Sequence, residues 1–263
     1  MYSSSETAVN YLSVGQGKTV LPILKMLILG VFAGIFIAFA GVGATISTVT
    51  VESASLAKLI SALVFPAGLA MVVLTGSELF TGNNLLIIPV LEHKATFGGM
   101  FRNWIVVYIG NFIGSILVAL AVVYGHTLSL FGGQAAEAVV SVAVTKTSLS
   151  FTDALIRGIL CNVLVCIAVW AAMCAKDISG KILALYFPIM IFVVCGFEHS
   201  VANMYYISAG LFAISEYSIA ADSLTWSSFL FGNLIPVTLG NIIGGAGIVG
   251  YGFWVAFLRK GKK

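Results

Sequence analysis

Two short stretches of this sequence place acids, amides and hydroxyls inside otherwise apolar segments. One runs from Glu78 to Asn83 (ELFTGN), and the other runs from Glu198 to Asn203 (EHSVAN) and contains His199. Carboxylates and amides can hold an irregular backbone through hydrogen bonds, and imidazole changes its charge near neutral pH. These residue types predict a functional site in which His199 can donate or accept a proton. We expect Glu78 and Glu198 to accept backbone N–H bonds and so structure the two loops.

The composition places both stretches in a membrane. The chain has 263 residues with 13 Lys and Arg and 10 Asp and Glu, 60% of its residues are apolar, and its mean hydropathy is +1.08. A soluble domain of this length would carry about 65 charged residues. No soluble fold of this size could bury so much apolar surface. The composition therefore excludes a soluble enzyme, a nucleic-acid-binding protein and a disordered chain, and it predicts an all-α integral membrane protein in a lipid bilayer.

Six segments have the roughly 20 apolar residues that a membrane-spanning helix needs. They cover approximately 23–48, 56–90, 103–125, 153–175, 181–214 and 228–258. The second and the fifth are too long for one simple span, and each contains one of the polar stretches. Gly82 is a poor helix former, and Thr81 and Ser200 are candidates to cap a helix that restarts. We therefore predict six transmembrane helices, with the second and the fifth broken.

The distribution of basic residues predicts the orientation of the chain. Ten Lys and Arg fall on the side that holds both termini and the loops 91–102 and 176–181, and only Lys58, Lys146 and Arg157 fall on the other side. Basic residues favour the cytoplasmic side of a membrane. We therefore predict a multi-pass protein of the cell membrane with both termini in the cytoplasm.

These predictions divide one transmembrane domain, residues 1–263, into five parts. They are a cytoplasmic N-terminal segment (1–22), a first three-helix repeat (23–125), an extracytoplasmic connection (126–152), a second three-helix repeat (153–258) and a basic cytoplasmic tail (259–263). Within the first part, Ser13–Lys18 could fold under the centre of the domain or form a disordered lead-in.

The two polar stretches resemble each other, because each has a glutamate and an asparagine five residues apart. A second pair of similar stretches supports the division into two repeats. Gly110-Asn111-Phe112-Ile113-Gly114 in the third span is matched by Gly240-Asn241-Ile242-Ile243-Gly244 in the sixth. An odd number of spans in each half inverts the second half relative to the first. Inverted repeats with interrupted helices place a solute site near the bilayer midplane, and the N-terminal ends of half-helices attract anions. The glycine spacings themselves predict close helix packing.

Two other classes of protein are open at this point. The inverted repeat also suits a channel for a neutral solute, although the paired Asn-Pro-Ala motifs of aquaporins are missing. A membrane-embedded enzyme would need a nucleophile and a base, or metal ligands. Glu198-His199 is not an H-E-x-x-H motif, and no pair of catalytic aspartates stands beside it. We therefore predict that the protein is not an enzyme and needs no metal and no cofactor.

Nearly the whole chain resembles the formate/nitrite transporter family. The resemblance lies in Phe65–Leu69 (FPAGL), Glu78–Asn83 (ELFTGN), Gly196–Met204 (GFEHSVANM) and Asn233–Gly245 (NLIPVTLGNIIGG). It implies an aquaporin-like protomer in a homopentamer, with a pore in each protomer for small monovalent anions of weak acids: formate, nitrite or hydrosulfide. Formate channels tend to carry aspartate and serine where this chain has Glu78 and Gly82. At these two positions the sequence is closer to the nitrite and hydrosulfide branches. In overall similarity it resembles the clostridial hydrosulfide branch most, so we predict hydrosulfide as the leading permeant, with a nitrite or formate channel of the same family as the alternative.

The resemblance also implies roles along the substrate pathway. His199 would lie at the centre, and Thr81 would bond either the histidine or the anion. Asn162 and Asn203 match polar groups near the central chamber. Lys146, which otherwise reads as a solvated loop charge in the polar segment TKTSLS, matches an outer lysine that draws anions to the pore.

Two apolar constrictions are expected on either side of His199. Leu79 matches the cytoplasmic constriction, with Leu69 as its neighbour, and Phe65 and Phe192 match the outer one. A bare anion would lose its hydration at such a ring, whereas its neutral acid would pass. His199 could supply the proton or only donate a hydrogen bond, and the sequence favours neither.

Overall fold

The computed structural model describes residues 1–259, which are mainly helical and contain no β-strand. Of the predicted tail 259–263, only Arg259 lies within these residues. The α-helices of residues 1–259 are α1 (Ser4–Thr19), α2 (Ile23–Ile46), α3 (Ala54–Val64), α4 (Pro66–Thr75), α5 (Ile87–Leu91), α6 (Phe97–Tyr124), α7 (Gln134–Thr147), α8 (Phe151–Cys174), α9 (Ile178–Val194), α10 (Ser200–Glu216), α11 (Ile235–Ile242) and α12 (Tyr251–Phe257). Two 3₁₀ stretches (Gly82–Leu86, Thr127–Gly133) and two π-helical stretches (Ser228–Leu234, Ile243–Gly250) complete the elements.

Six stretches of the described residues are long and apolar enough to cross a membrane. They are Ile23–Ile46, Ala54–Thr75, Phe97–Tyr124, Thr127–Thr147, Phe151–Cys174 and Ser228–Phe257. The fourth is not a continuous helix, because Leu130, Phe131 and Gly132 leave helical dihedral angles. The 14 residues of α7 reach only about 21 Å, which is less than the ~30 Å hydrocarbon layer. We therefore assign the remaining pass to α9 and α10 together, each of 17 residues.

Both predicted helix breaks are present. In the second span, α4 ends at Gly76, and the chain runs irregularly to the 3₁₀ turn Gly82–Leu86. In the fifth span, α9 ends before Gly196, and α10 begins at Ser200. Gly76 and Gly196 have φ angles of 71° and 67°, which favour glycine because a Cβ is strained there. The structure confirms an all-α fold of six transmembrane helices with the second and fifth broken.

Helices α1 and α7 occupy equivalent places in the two halves. Each precedes the first span of its half, α2 or α8, and each carries a lysine in its last turn, Lys18 or Lys146. Residues Ser13–Lys18 form the end of α1, so this segment is helical and is not a disordered lead-in. The sequence left Lys146 open between a solvated loop charge and an outer lysine of the pore, and in the structure it lies in the last turn of α7, inside the predicted connection 126–152. An apolar stripe at helical spacing buries α7 in the core: Ala135, Ala136, Val139, Val140 and Ala143.

The glycine spacings bring paired helices close together, as predicted. A Cβ at Gly110 of α6 would lie 2.8 Å from the carbonyl oxygen of Leu27 in α2. In the second half, a Cβ at Gly240 of α11 would collide with the carbonyl oxygen of Leu155 in α8. Any side chain at either position would push the two helices apart.

Candidate functional site

Two cavities of similar size open at opposite ends of α8. The first, of about 610 Å³, is lined by Lys18, Glu78 and residues near the C-terminal end of α8, including Met173; we name it the Lys18 vestibule. The second, of about 630 Å³, is lined by Lys146, Glu198 and Arg157 near the N-terminal end of α8; we name it the Lys146 vestibule. Arg157 and Met173 stand 16 positions apart on this helix, or about 24 Å at 1.5 Å per residue. The vestibules therefore lie toward opposite membrane surfaces.

Buried apolar side chains separate the two vestibules. Phe65 and Phe192 meet edge to face with ring centroids 5.6 Å apart, and Phe192 stacks on the His199 ring at 5.9 Å. All three line the Lys146 vestibule. Leu69 and Leu79 line the Lys18 vestibule, and each is at most 3% exposed. The predicted constriction residues thus lie in two groups, one toward each vestibule.

His199, which stacks against Phe192, and Thr81, two residues after Leu79, bond to each other. The Thr81 hydroxyl is 2.8 Å from Nε2 of His199, and Thr81 is fully buried. The other ring nitrogen, Nδ1, accepts the backbone N–H of Ala202 at 3.0 Å. Because a backbone N–H can only donate, Nδ1 carries no proton in this arrangement. The ring is therefore neutral, its proton is on Nε2, and Nε2–H donates to the Thr81 oxygen.

The same bond shows how α10 begins. The sequence suggested Ser200 as the cap of the restarting helix, but the cap is His199, whose Nδ1 satisfies the N–H of Ala202. Thr81 was the other suggested cap, and its hydroxyl bonds His199 instead. A proton on Nδ1 would break the bond that caps α10. The neutral state of His199 is thus built into the start of this half-helix.

Asn162 and Asn203 lie in different surroundings. Asn162 is fully buried and donates to the carbonyl oxygens of Thr81 at 3.2 Å and Asn241 at 2.7 Å, so it lies directly behind the Thr81–His199 pair. Asn203 donates to Glu198 and lines the Lys146 vestibule. The structure therefore brings Asn162 to the central pair and places Asn203 with Glu198.

Glu78 belongs to a hydrogen-bonded cluster beside the Lys18 vestibule. Its carboxylate accepts from Lys18 Nζ at 2.8 Å and from Asn83 Nδ2 at 2.7 Å. Asn83 also donates to Asn103 Oδ1 at 2.9 Å, and Asn103 donates to the backbone oxygen of Lys18 at 3.2 Å. The expected backbone N–H donors to Glu78 are replaced by side chains. The lysine compensates the charge of an almost fully buried carboxylate.

Glu198 belongs to the matching cluster beside the Lys146 vestibule. Its carboxylate accepts from Lys146 Nζ at 2.9 and 3.0 Å and from Asn203 Nδ2 at 2.6 Å. Asn203 also donates to Asn233 Oδ1 at 2.7 Å, and Asn233 donates to the backbone oxygen of Lys146 at 2.8 Å. Each of these bonded residue pairs has its counterpart in the Glu78 cluster, so the two repeats share one polar scaffold.

A further asparagine in each half fixes the irregular backbone itself. Asn111 accepts the N–H of Phe80 at 2.9 Å and donates to the carbonyl oxygens of Gly30 and Glu78 at 2.8 and 2.9 Å. Asn241 does the same for Ser200, Gly158 and Glu198 at 2.9, 2.8 and 3.0 Å. These amides, rather than the glutamates, supply the hydrogen bonds that hold the broken backbone.

Sequence reasoning missed Lys18, Asn103 and Asn233 as members of the site, and it treated Asn111 and Asn241 as part of packing motifs. One signal was available for the asparagines. In both halves the two asparagines on the last span are eight residues apart, at 103 and 111 and at 233 and 241. Lys18 has no such local signal, because only the folded position of α1 brings it to Glu78.

Comparisons of the sequence identify relatives along nearly the whole chain. A family profile described as formate/nitrite transporter matches residues 5–255. A protein named probable formate transporter from Methanothermobacter thermautotrophicus is 39% identical, with 98% of each chain covered. The formate channel FocA of Escherichia coli (strain K12) is 37% identical, with 90% of this chain and 88% of FocA covered.

Solved structures agree with these relatives. A pentameric formate channel with formate bound superposes with a TM-score of 0.78 at 34% identity and covers 90% of this chain and 98% of its own. An ion channel of the FNT family superposes with a TM-score of 0.86 at 28% identity and covers 95% of this chain and 98% of its own. These findings confirm the resemblance that the motifs predicted. The chain is a multi-pass membrane protein that belongs to the formate/nitrite transporter family.

Proposed function

We propose that this protein is a channel of the cell membrane for small monovalent anions of weak acids. The observation that carries the proposal is the order of groups between the two vestibules. A hydrogen-bonding pair, His199 and Thr81, is flanked by Phe65 and Phe192 on one side and by Leu69 and Leu79 on the other. Such a path offers polar contacts at one level only, and its apolar walls oppose a bare charge.

Transport begins when the positive wall of a vestibule draws the anion in. Lys58, Lys146 and Arg157 line this wall, and the N-terminal end of the 17-residue α10 adds a positive dipole end close to His199. At the apolar groups the anion takes a proton and passes as the neutral acid, since the neutral form loses less hydration. On the far side, where water is again present, the acid releases its proton.

His199 acts in this scheme as a hydrogen-bond donor. Its neutral ring offers Nε2–H, which bonds Thr81 in the resting path and can turn to the permeant. An imidazolium that delivers a proton would first have to break the Ala202 cap. We therefore assign the proton to vestibule water, with His199 and Thr81 as the polar contacts that the permeant meets midway. The amide of Asn162 supports the pair through the Thr81 carbonyl.

The choice of anion rests on two lines of support that differ. Glu78 and Gly82 favour the nitrite and hydrosulfide branches, and the overall similarity favours hydrosulfide, with formate and nitrite also permeant. The named relatives are formate channels and transporters, which favours formate. We keep hydrosulfide as the predicted leading permeant and formate as the specific competitor.

We further propose that the protein assembles as a homopentamer with both termini in the cytoplasm. The support is the pentameric formate channel to which the chain is similar, and the concentration of basic residues on the side of Lys18. In this orientation the Lys18 vestibule faces the cytoplasm. Large apolar side chains on the outer faces of the spans, among them Phe32, Ile105 and Leu183, suit contact with lipid or a neighbouring subunit.

Initial flux into proteoliposomes tests the proposal. Formate, nitrite, hydrosulfide, chloride and glycerol are compared at two pH values, with empty liposomes as the background for permeation of the neutral acids. We expect weak-acid anions to pass, chloride and glycerol to fail, and flux to rise as the pH falls. Glycerol or chloride passing as fast as the weak-acid anions would instead indicate a neutral-solute or unselective channel. The ratio of hydrosulfide flux to formate flux decides between the two branches.

A further inference from the structure

The Lys146 vestibule contains more positive charge than its bonded lysine supplies. Three cations and one carboxylate line it: Lys58, Lys146, Arg157 and Glu198. Lys146 and Glu198 form an ion pair at 2.9 Å. The pair contributes no net charge, so the net charge of the wall comes from Lys58 and Arg157.

Both of these cations are exposed and unpaired. Lys58 lies on α3, and its Nζ would be 3.8 Å from a Cβ built at Gly196, the residue where the fifth span breaks. Arg157 lies on α8, and its backbone oxygen accepts the N–H of Glu198 at 3.2 Å. Among residues 1–259, neither forms an ion pair with an acidic side chain. Lys58 Nζ and the backbone of Arg157 therefore lie beside the loop that carries His199, and both residues line the vestibule.

Nearby acids do not cancel these charges. The other carboxylates on this side of the described chain include Glu52, Glu137 and Asp153, which are exposed and do not line the cavity. A cavity with low-dielectric walls focuses the field of its unpaired charges and raises the local concentration of counter-ions.

We infer that Lys58 and Arg157 are the charges that concentrate anions in the Lys146 vestibule, whereas Lys146 mainly compensates buried Glu198. The inference rests on the proposed function, because it names the groups that load the pore with its substrate. It separates two tasks. The bonded Lys146–Glu198 pair holds the loop, and the two unpaired cations set how often an anion occupies the Lys146 vestibule.

The first test measures the local potential and does not depend on transport. Ser141, which is exposed and lines the vestibule, is changed to cysteine in a Cys174→Ser/Cys195→Ser background. The modification rates by an anionic and a cationic methanethiosulfonate reagent are compared at low ionic strength. We expect the anionic-to-cationic ratio to fall at least fivefold in the Lys58→Gln/Arg157→Gln variant.

Two matched variants make this result specific. Lys146→Gln/Glu198→Gln removes the bonded pair without changing net charge, so its ratio should stay within about twofold of the parent value. Lys25→Gln/Lys94→Gln removes two exposed cations that line neither vestibule and should leave the ratio unchanged. An unchanged ratio in Lys58→Gln/Arg157→Gln, or an equal fall in the pair variant, would overturn the inference.

Transport kinetics give the second test. We expect Lys58→Gln/Arg157→Gln to raise the apparent KM for formate severalfold at about 10 mM ionic strength with little change in maximal rate. The difference should shrink at about 300 mM, because screening shortens the Debye length from about 30 Å to well under 10 Å. A KM difference that persists at high salt would contradict charge attraction. If the parent protein passes no weak-acid anion but the potential test succeeds, the proposed function fails while the assignment of the charges stands.

Discussion

The breaks in the second and fifth spans share a scaffold and differ in their chemistry. Each has a glutamate bonded to a lysine and an asparagine, and an asparagine on the last span of its half holds the backbone. The residue after the glutamate differs: it is Leu79 in the first break and His199 in the second. The inverted repeat thus provides two similar supports, and the difference at this one position places an imidazole only in the second break.

The helices that follow the two breaks also differ. After the first break the chain forms a five-residue 3₁₀ turn and the five-residue α5, whereas after the second it forms the 17-residue α10. A long helix has aligned peptide dipoles and free N–H groups at its start, and a short irregular one has little of either. The electrostatic contribution of the half-helices is therefore concentrated at His199.

The largest expected effect comes from removing the asparagine that holds each break. Asn241→Ala leaves the Ser200 N–H and the carbonyls of Gly158 and Glu198 without their partner in a buried site. An unsatisfied buried polar group costs about 1–3 kcal/mol, so we expect a loss of about 3 kcal/mol or more in the free energy of unfolding. Thermal unfolding in detergent measures it.

The same measurement tests the equality of the two supports. Asn111→Ala should destabilise the protein to a similar extent, because the three bonds have counterparts of nearly equal length. Asn10→Ala, at an exposed position of α1, serves as the control and should change stability by less than about 0.5 kcal/mol. A large loss at only one of the two buried asparagines would show that the scaffold is not equivalent in the two halves.

A smaller effect is expected when one lysine of a cluster is neutralised. Lys146→Gln leaves Glu198, which is 4% exposed, without its charge partner. We expect a loss of about 2 kcal/mol at neutral pH, below the 3–5 kcal/mol typical of fully buried pairs because Lys146 is partly exposed. Lys146→Gln/Glu198→Gln should recover part of the loss. Lys18→Gln should cause a similar loss of stability through Glu78. If neither lysine substitution changed the stability, the pairing would be contradicted.

The sequence predicted the breaks because their signals are local. Gly82, the Glu–Asn spacing and the two Gly-Asn-x-x-Gly echoes can all be recognised within short windows. Lys18 was not found, because its contact with Glu78 spans 60 positions and depends on how α1 packs. Asn103 was not recognised as part of the site, because it lies in a long apolar helix whose mean hydropathy a single amide hardly changes.

One local prediction was wrong for a physical reason. Ser200 was expected to cap α10, because serine is a common cap. Imidazole can do the same when Nδ1 is unprotonated, so the helix begins one residue earlier than serine capping would place it.

Substitution of His199 tests the difference between the breaks. We expect His199→Asn to lower the rate of formate flux about tenfold, which corresponds to a barrier about 1.4 kcal/mol higher. The asparagine amide still donates a hydrogen bond, but its side chain is shorter than imidazole and reaches the permeant less well. The pH profile should keep its shape, since vestibule water rather than His199 supplies the proton. His199→Leu, which copies Leu79, should lower flux further, and retention of α-helical circular dichroism checks the fold. A pH profile that flattens in His199→Asn would instead identify the imidazole as the proton donor.

The smallest expected effect concerns the two apolar groups on either side of His199. Phe65 and Phe192 form a close aromatic pair that stacks on His199, whereas Leu69 and Leu79 line the opposite vestibule as smaller aliphatic side chains. Phe192→Ala should widen the aromatic side and let water reach the histidine, which lowers the cost of a bare charge there. We expect chloride flux to rise about threefold relative to formate flux, with a smaller rise in Leu79→Ala because less volume is removed. Equal rises would show that the two sides contribute alike to rejecting a permanent anion, and a rise only in Leu79→Ala would place the main barrier on the Lys18 side.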